Sequence, residues 1–223
     1  MLFFINHKAN LTLEEIILYE KELRDLNVTI FPSLCYISLF QNGNYKLGAQ
    51  DVSEFDDKEK TGEINAKQLK SLNVKYCLIG HRDRRVFKKE KIETLCLKVE
   101  NCIKSDITPI YFINDISIFN KYEINKLFKI NNEKEIIFVY EPYKNIGQDN
   151  PDLSLVDSYV KNLKGYIANK FSKNVKVLYG GGINLNNINF IKKLKNIDGI
   201  IVSTSTLNIT DLKKLYDIVN EKI

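Results

Sequence analysis

Short apolar runs rich in β-branched and aromatic residues recur along the chain, each followed by a turn and a longer stretch with apolar positions three and four apart. The runs at 2–5, 28–31, 45–49, 76–79, 109–113, 136–140, 175–179 and 199–202 read as eight buried strands. Between them the spacing predicts helices over 65–72, 116–128, 155–168, 188–194 and 211–219. Thr12 and Glu15 form a capping-box signature, opening a helix expected to present Leu13, Ile16 and Ile17 on one face. Ile92, Leu95, Val99, Cys102 and Ile103 fall at helical spacing and predict another helix with one buried stripe. Gly165 is expected to weaken the last turn of its helix by roughly 1 kcal/mol relative to alanine. The second unit is the least helical, a brief segment around 34–40 between Pro32 and Gly43.

Eight such units without a composition break predict one α/β domain over 1–223 with a parallel sheet. A closed (β/α)8 barrel, helices outside, is favoured over an open doubly wound sheet, because closure removes both edges and uses every unit alike. No GxGxxG follows the first strand, which lowers the dinucleotide-binding alternative.

At 223 residues and 44% hydrophobic, the chain can build one large core. Its net charge of +5 comes from 33 basic and 28 acidic residues spread throughout, so neither a nucleic-acid partner nor a membrane surface is expected. The longest apolar stretches are far shorter than a membrane span, and MLFFINHKAN lacks the basic region of a signal peptide, which predicts a cytoplasmic protein. Cys35, Cys77, Cys96 and Cys102 each lie in an apolar run and are expected to be reduced, buried thiols. They lack metal-ligand spacing, and His7 and His81 are the only histidines, so no structural zinc is expected.

The candidate chemistry sits at strand ends. Lys8 in FINHKAN, His81 in LIGHRDRR and Glu141 in VYEPYKNIGQ follow or overlap the first, fourth and sixth strands. In a parallel barrel those ends open on one mouth, and a base, an electrophile and a cation there suit proton transfer beside a carbonyl. Singly, each has a plainer explanation: a solvated lysine, a structural histidine, a surface carboxylate before Pro142. Together they argue for a site, since an acid at the end of a buried strand needs a reason.

Seven segments in order, FINHKAN, LGAQDVS, TGEI, LIGHRDRR, VYEPYKNIG, LYGGGINLNN and DGIIVSTSTL, resemble the triosephosphate isomerase family along nearly the whole chain. The resemblance implies a TIM barrel that interconverts dihydroxyacetone phosphate and glyceraldehyde 3-phosphate through an enediol, with no cofactor and no metal. It also implies a homodimer, formed through the 51–61 loop with Thr61 reaching the partner's site. By position, Glu141 would be the base, His81 the neutral electrophile, Lys8 a fixed cation, and Asn6 a group positioning the same oxygen; these roles are the family's known chemistry. Lys8, Gly147, Gly181, Gly182, Ser203 and Thr204 would bind the phosphorylated three-carbon substrate, largely through backbone N–H groups.

The phosphate end departs most from the family. Gly182 replaces a serine, and Ser203 and Thr204 replace paired glycines, so either crowding weakens phosphate binding or the two hydroxyls compensate. Asp149 at the lid tip would repel a phosphate unless it points outward. Arg82 stands for a serine and is expected to favour ionised Glu141, lowering its basicity; Asp83, one methylene shorter than the family's glutamate, is expected to strain or lose an ion pair with Lys8. Phe112, Asn114 and Asp115 are assigned packing roles. The alternatives are a weakly active or non-catalytic barrel serving as a binding scaffold, and a related enzyme acting on another carbonyl compound.

Overall fold

The computed structural model describes residues 1–56, 59–114, 118–130, 133–148 and 151–221. The eight strands are β1 (Leu2–Asn6), β2 (Thr29–Phe31), β3 (Lys46–Ala49), β4 (Tyr76–Ile79), β5 (Thr108–Ile113), β6 (Ile137–Tyr140), β7 (Val177–Tyr179) and β8 (Gly199–Val202). They are all parallel and close in sequence order, with β1 pairing β8 through Phe4↔Ile201. Each matches an expected apolar run to within about two residues at either end, the usual uncertainty of element boundaries. The helices are α1 (Leu13–Leu23), α2 (Ala66–Ser71), α3 (Arg82–Phe87), α4 (Ile92–Lys104), α5 (Ile118–Ile130), α6 (Val156–Phe171), α7 (Ile188–Ile191) and α8 (Ile209–Asn220).

Alternation along the strands divides the apolar residues between two cores. Phe4, Phe31, Leu78, Ile110, Phe112, Ile137, Val139, Leu178 and Ile201 fill the barrel. Their neighbours Ile5, Ile30, Ile79, Tyr111 and Phe138 face outward into the layer shared with the helices. The Phe31 ring occupies the space that any side chain at Gly48 would need, so the third strand must be small there.

Local sequence explains the starts of α1 and α2. The Thr12–Glu15 capping box forms as expected, and Asn65 with Gln68 makes a second one at α2. The buried face of α1 differs from expectation: it carries Ile16, Tyr19, Glu20 and Leu23, while Leu13 and Ile17 are exposed. Glu20 is admitted because Arg24 and the Tyr45 hydroxyl satisfy its carboxylate, at 2.8 and 2.6 Å.

Gly165 lies inside α6 rather than in its last turn, since the helix runs on to Phe171 and stops at Ser172, whose φ of 54° is left-handed. The weak second unit is a six-residue 3-10 helix, Leu34–Leu39, and α7 spans four residues where 188–194 was expected. The expected helix start at 116 lies outside the described residues. Cys77, Cys96 and Cys102 are buried thiols, but Cys35 is exposed on the 3-10 helix, where its neighbour Ile37 takes the inward position instead. No helix among the described residues is long and apolar enough to cross a membrane.

Candidate active site

The carboxyl ends of the strands form a cleft of about 350 Å3, within the size range of small-ligand pockets. Asn6, Lys8, His81, Glu141, Gly147, Gly182, Ser203 and Thr204 all line it. Gly181 does not; a side chain there would run into the Tyr179 hydroxyl and Asn145, so it is a packing glycine behind the wall.

Lys8 lies just beyond His7 at the end of β1 and has a φ of 53°, a conformation that costs a non-glycine residue about 1 kcal/mol or more. The surroundings hold it there. Its N–H donates to Asn6 Oδ1 at 3.0 Å, and its carbonyl accepts from Ser33 Oγ and Gln50 Nε2, both at 2.8 Å. Its ammonium reaches Asp83 Oδ2 at 3.2 Å. The shorter acid therefore keeps the ion pair that sequence expected to be strained or lost, because α3 begins immediately after His81 and carries Asp83 toward Lys8.

That helix was not foreseen. His81 is its N-cap: Nδ1 accepts the Asp83 N–H at 3.1 Å, the job a serine or aspartate usually performs. An Nδ1 that accepts leaves the proton of a neutral imidazole on Nε2. Burial, opposed by Asp83 and assisted by Lys8 and Arg82, lowers the His81 pKa to about 4, so the ring is neutral at ordinary pH. Phe112 packs edge-on against it at 4.9 Å, consistent with the packing role assigned to that residue. Asn114 accepts a hydrogen bond from Asn120, and Asp115 lies outside the described residues.

Nε2 of His81 faces Oε1 of Glu141 at 3.8 Å, too long for a hydrogen bond. Glu141 follows β6, its backbone N–H tied to Ile113 O at 2.8 Å. Its Oε2 is buried without a hydrogen-bond partner among the described residues. Burial raises its pKa to about 8, with Lys8 lowering it, Asp83 raising it and Arg82 lowering it by lesser amounts. Arg82 thus fails to make this carboxylate a weak base: desolvation outweighs it, and its guanidinium lies 5.5 Å from the Tyr143 ring centre.

At the far end, Gly182 has a φ of +58°, and a Cβ there would sit 2.6 Å from Asn145 O and 2.7 Å from Gln148 O. The missing hydroxyl is therefore a condition of close approach by the loop after β6. Neither Ser203 nor Thr204 has a left-handed φ, so a glycine is not required at either position for that reason. Ser203 Oγ is buried and has no hydrogen-bond partner among the described residues. Asp149 lies outside the described residues. Gln148, Asn184 and Ser205 also line the cleft and were not foreseen; a polar residue in a loop carries no mark of which way it points.

A family profile described as triosephosphate isomerase matches residues 1–221. The chain belongs to the triosephosphate isomerase family. Among similar proteins, the triosephosphate isomerase of Mesomycoplasma hyopneumoniae (strain 232) is 32% identical over 203 residues, covering 86% of this chain and 83% of the relative. That of Orientia tsutsugamushi (strain Ikeda) is 33% identical over 186 residues, 77% of this chain and 74% of the relative. The Mycoplasmopsis agalactiae enzyme is 32% identical over 210 residues, 87% and 80% respectively. Membership makes this triosephosphate isomerase family chain an isomerase.

Proposed function

We propose that the protein interconverts dihydroxyacetone phosphate and glyceraldehyde 3-phosphate, with Glu141 as base, His81 as electrophile and Lys8 as a fixed cation. The observation that carries the reading is a basic, desolvated carboxylate and the N–H edge of a neutral imidazole, 3.8 Å apart and lining the same cleft. Glu141 takes a proton from the carbon beside the carbonyl. The C–H electron pair becomes the C=C bond of the enediolate, and the carbonyl pair moves onto oxygen.

His81 Nε2–H donates to that oxygen, and the Lys8 ammonium offsets its charge. A neutral donor whose proton is matched to an enediolate can share it without a costly ionised state. Protonated Glu141 then returns its proton to the neighbouring carbon, while the hydroxyl proton passes from one enediolate oxygen to the other by way of His81 Nε2. Electrons and atoms balance within the substrate, so the reading calls for no cofactor or metal. Asn6, through the oxygen that already holds the Lys8 backbone, fixes the cation's place.

The phosphate belongs at the end formed by Gly147, Gly182, Ser203 and Thr204, where the unpartnered Ser203 hydroxyl is available to donate. Gly181 supports this wall from behind rather than touching substrate. The whole chain acts as one catalytic domain. The reading includes a homodimer through the 51–61 loop: Phe55 in that loop is exposed, as are Val86 and Phe87 on α3, which Arg84 joins to Asp51 at 2.6 Å. It also includes the cytoplasm as the place of action, in keeping with the free thiols.

A coupled assay with glyceraldehyde 3-phosphate tests the activity. Turnover by the natural chain, lost in Glu141→Gln with the fold intact, is expected; absence of turnover at saturating substrate would overturn the reading.

A further inference from the structure

We propose that Asn145 is a positioning residue for this site: one side-chain amide fastens both feet of the loop after β6 to each other and to Tyr179 on β7. The inference rests on the function proposed above. Asn145 ends the 3-10 turn Tyr143–Asn145, four positions beyond Glu141, and is 1% exposed. Its Nδ2 donates to Tyr179 Oη at 3.0 Å and to Asp152 O at 2.9 Å. A primary amide has two hydrogens, so both bonds form at once.

The Asp152 bond ties position 145 to position 152, and the Tyr179 bond pins that junction to a strand whose tyrosine is fully buried. The seat beneath is made for it. Side chains at Gly181 and Gly182 would strike Asn145 Cβ at 3.1 Å and the Asn145 and Gln148 carbonyls at 2.6 and 2.7 Å. From this seat Ile146, Gly147 and Gln148 face the cleft. Loss of the clamp frees the loop to lift, admitting water to Glu141 and moving the Gly147 backbone from the phosphate end.

In Asn145→Ala, kcat/KM should fall about tenfold or more, chiefly through a higher KM, as small misplacements of positioned groups do. The acid limb of kcat/KM should also move to lower pH, because a wetter Glu141 is a weaker base. Amide hydrogen exchange over 143–154, read by mass spectrometry, should quicken about tenfold. Tyr179→Phe keeps the Asp152 bond and should show a smaller change in the same direction, about threefold, with the double variant no worse than Asn145→Ala. Lys144→Ala removes an exposed contact to Asp152 at 3.4 Å and should stay within about twofold of the natural protein.

Unchanged exchange over 143–154 in Asn145→Ala, or kinetics and limb unchanged alongside a uniform loss of stability, overturns the proposal. If Asn145→Ala does not fold, Tyr179→Phe decides by the same readouts. If the natural protein does not turn over, the proposed function falls and the exchange comparison alone decides the role of Asn145.

Discussion

Under the proposed function, the pH dependence of catalysis follows from where Glu141 sits. Burial moves its pKa from 4.5 to about 8, a disfavouring of the carboxylate by about 5 kcal/mol before substrate binds. At pH 7 about one free enzyme molecule in ten carries the reactive base, and at pH 6 about one in a hundred. A plot of log kcat/KM for glyceraldehyde 3-phosphate should therefore rise with unit slope to about pH 8 and level off above it. The substrate phosphate titrates near pH 6, far enough below to be separated. His81 adds no limb in this range, its pKa lying at about 4. Asp83 raises the Glu141 pKa, so Asp83→Asn should carry the limb to lower pH. A flat profile from pH 6 to 9, or a limb that Asp83→Asn leaves in place, would refute this assignment.

Three other perturbations test the packing. Gly182→Ser restores the residue the family carries there, yet it should lower kcat/KM about tenfold or more by forcing a left-handed serine against the loop carbonyls; activity equal to the natural protein's would contradict it. His7 is fully buried edge-on to Tyr19, with neither ring nitrogen hydrogen-bonded among the described residues, and burial lowers its pKa from 6.5 to about 4. Its contribution to stability is present above pH 6.5 and lost as pH falls through 4, amounting to about 3 kcal/mol. Denaturant midpoints of His7→Phe should depend less on pH in that window than those of the natural protein; identical slopes would contradict it. Glu141 works with the opposite sign, its contribution present below pH 4.5 and lost through about 8, and the comparison cancels it. Lys98, 1% exposed, joins Asp51 and Glu90 at 2.7 Å each, so Lys98→Ala should cost about 3 kcal/mol in urea unfolding by leaving two half-buried acids with Arg84 as the one cation bridging them.

Sequence shows the barrel because strand and helix periods are local properties: every run from 2–5 to 199–202 became a barrel strand. It also exposes Lys8, His81 and Glu141, since each follows a buried run. What it hides depends on partners far along the chain. The side chain capping α3 is the same imidazole that faces Glu141, and no capping rule names histidine for it. The inward face of α1 is set by Tyr45 and Thr206, which bind Glu20 and Tyr19 from 25 and 187 positions away. Gly182 reads as the loss of a hydroxyl until the loop carbonyls beside it are seen. Asn145 reads as an ordinary turn residue because its partner Tyr179 is 34 positions distant.

The central claim is that Glu141 moves a proton between two carbons of a triose phosphate. Dihydroxyacetone phosphate incubated with the protein in deuterium oxide reports that step directly, by deuterium appearing on carbon in nuclear magnetic resonance spectra. The natural chain should label the substrate and Glu141→Gln, with its barrel intact by circular dichroism, should not. Labelling by Glu141→Gln as fast as by the natural chain would contradict the account.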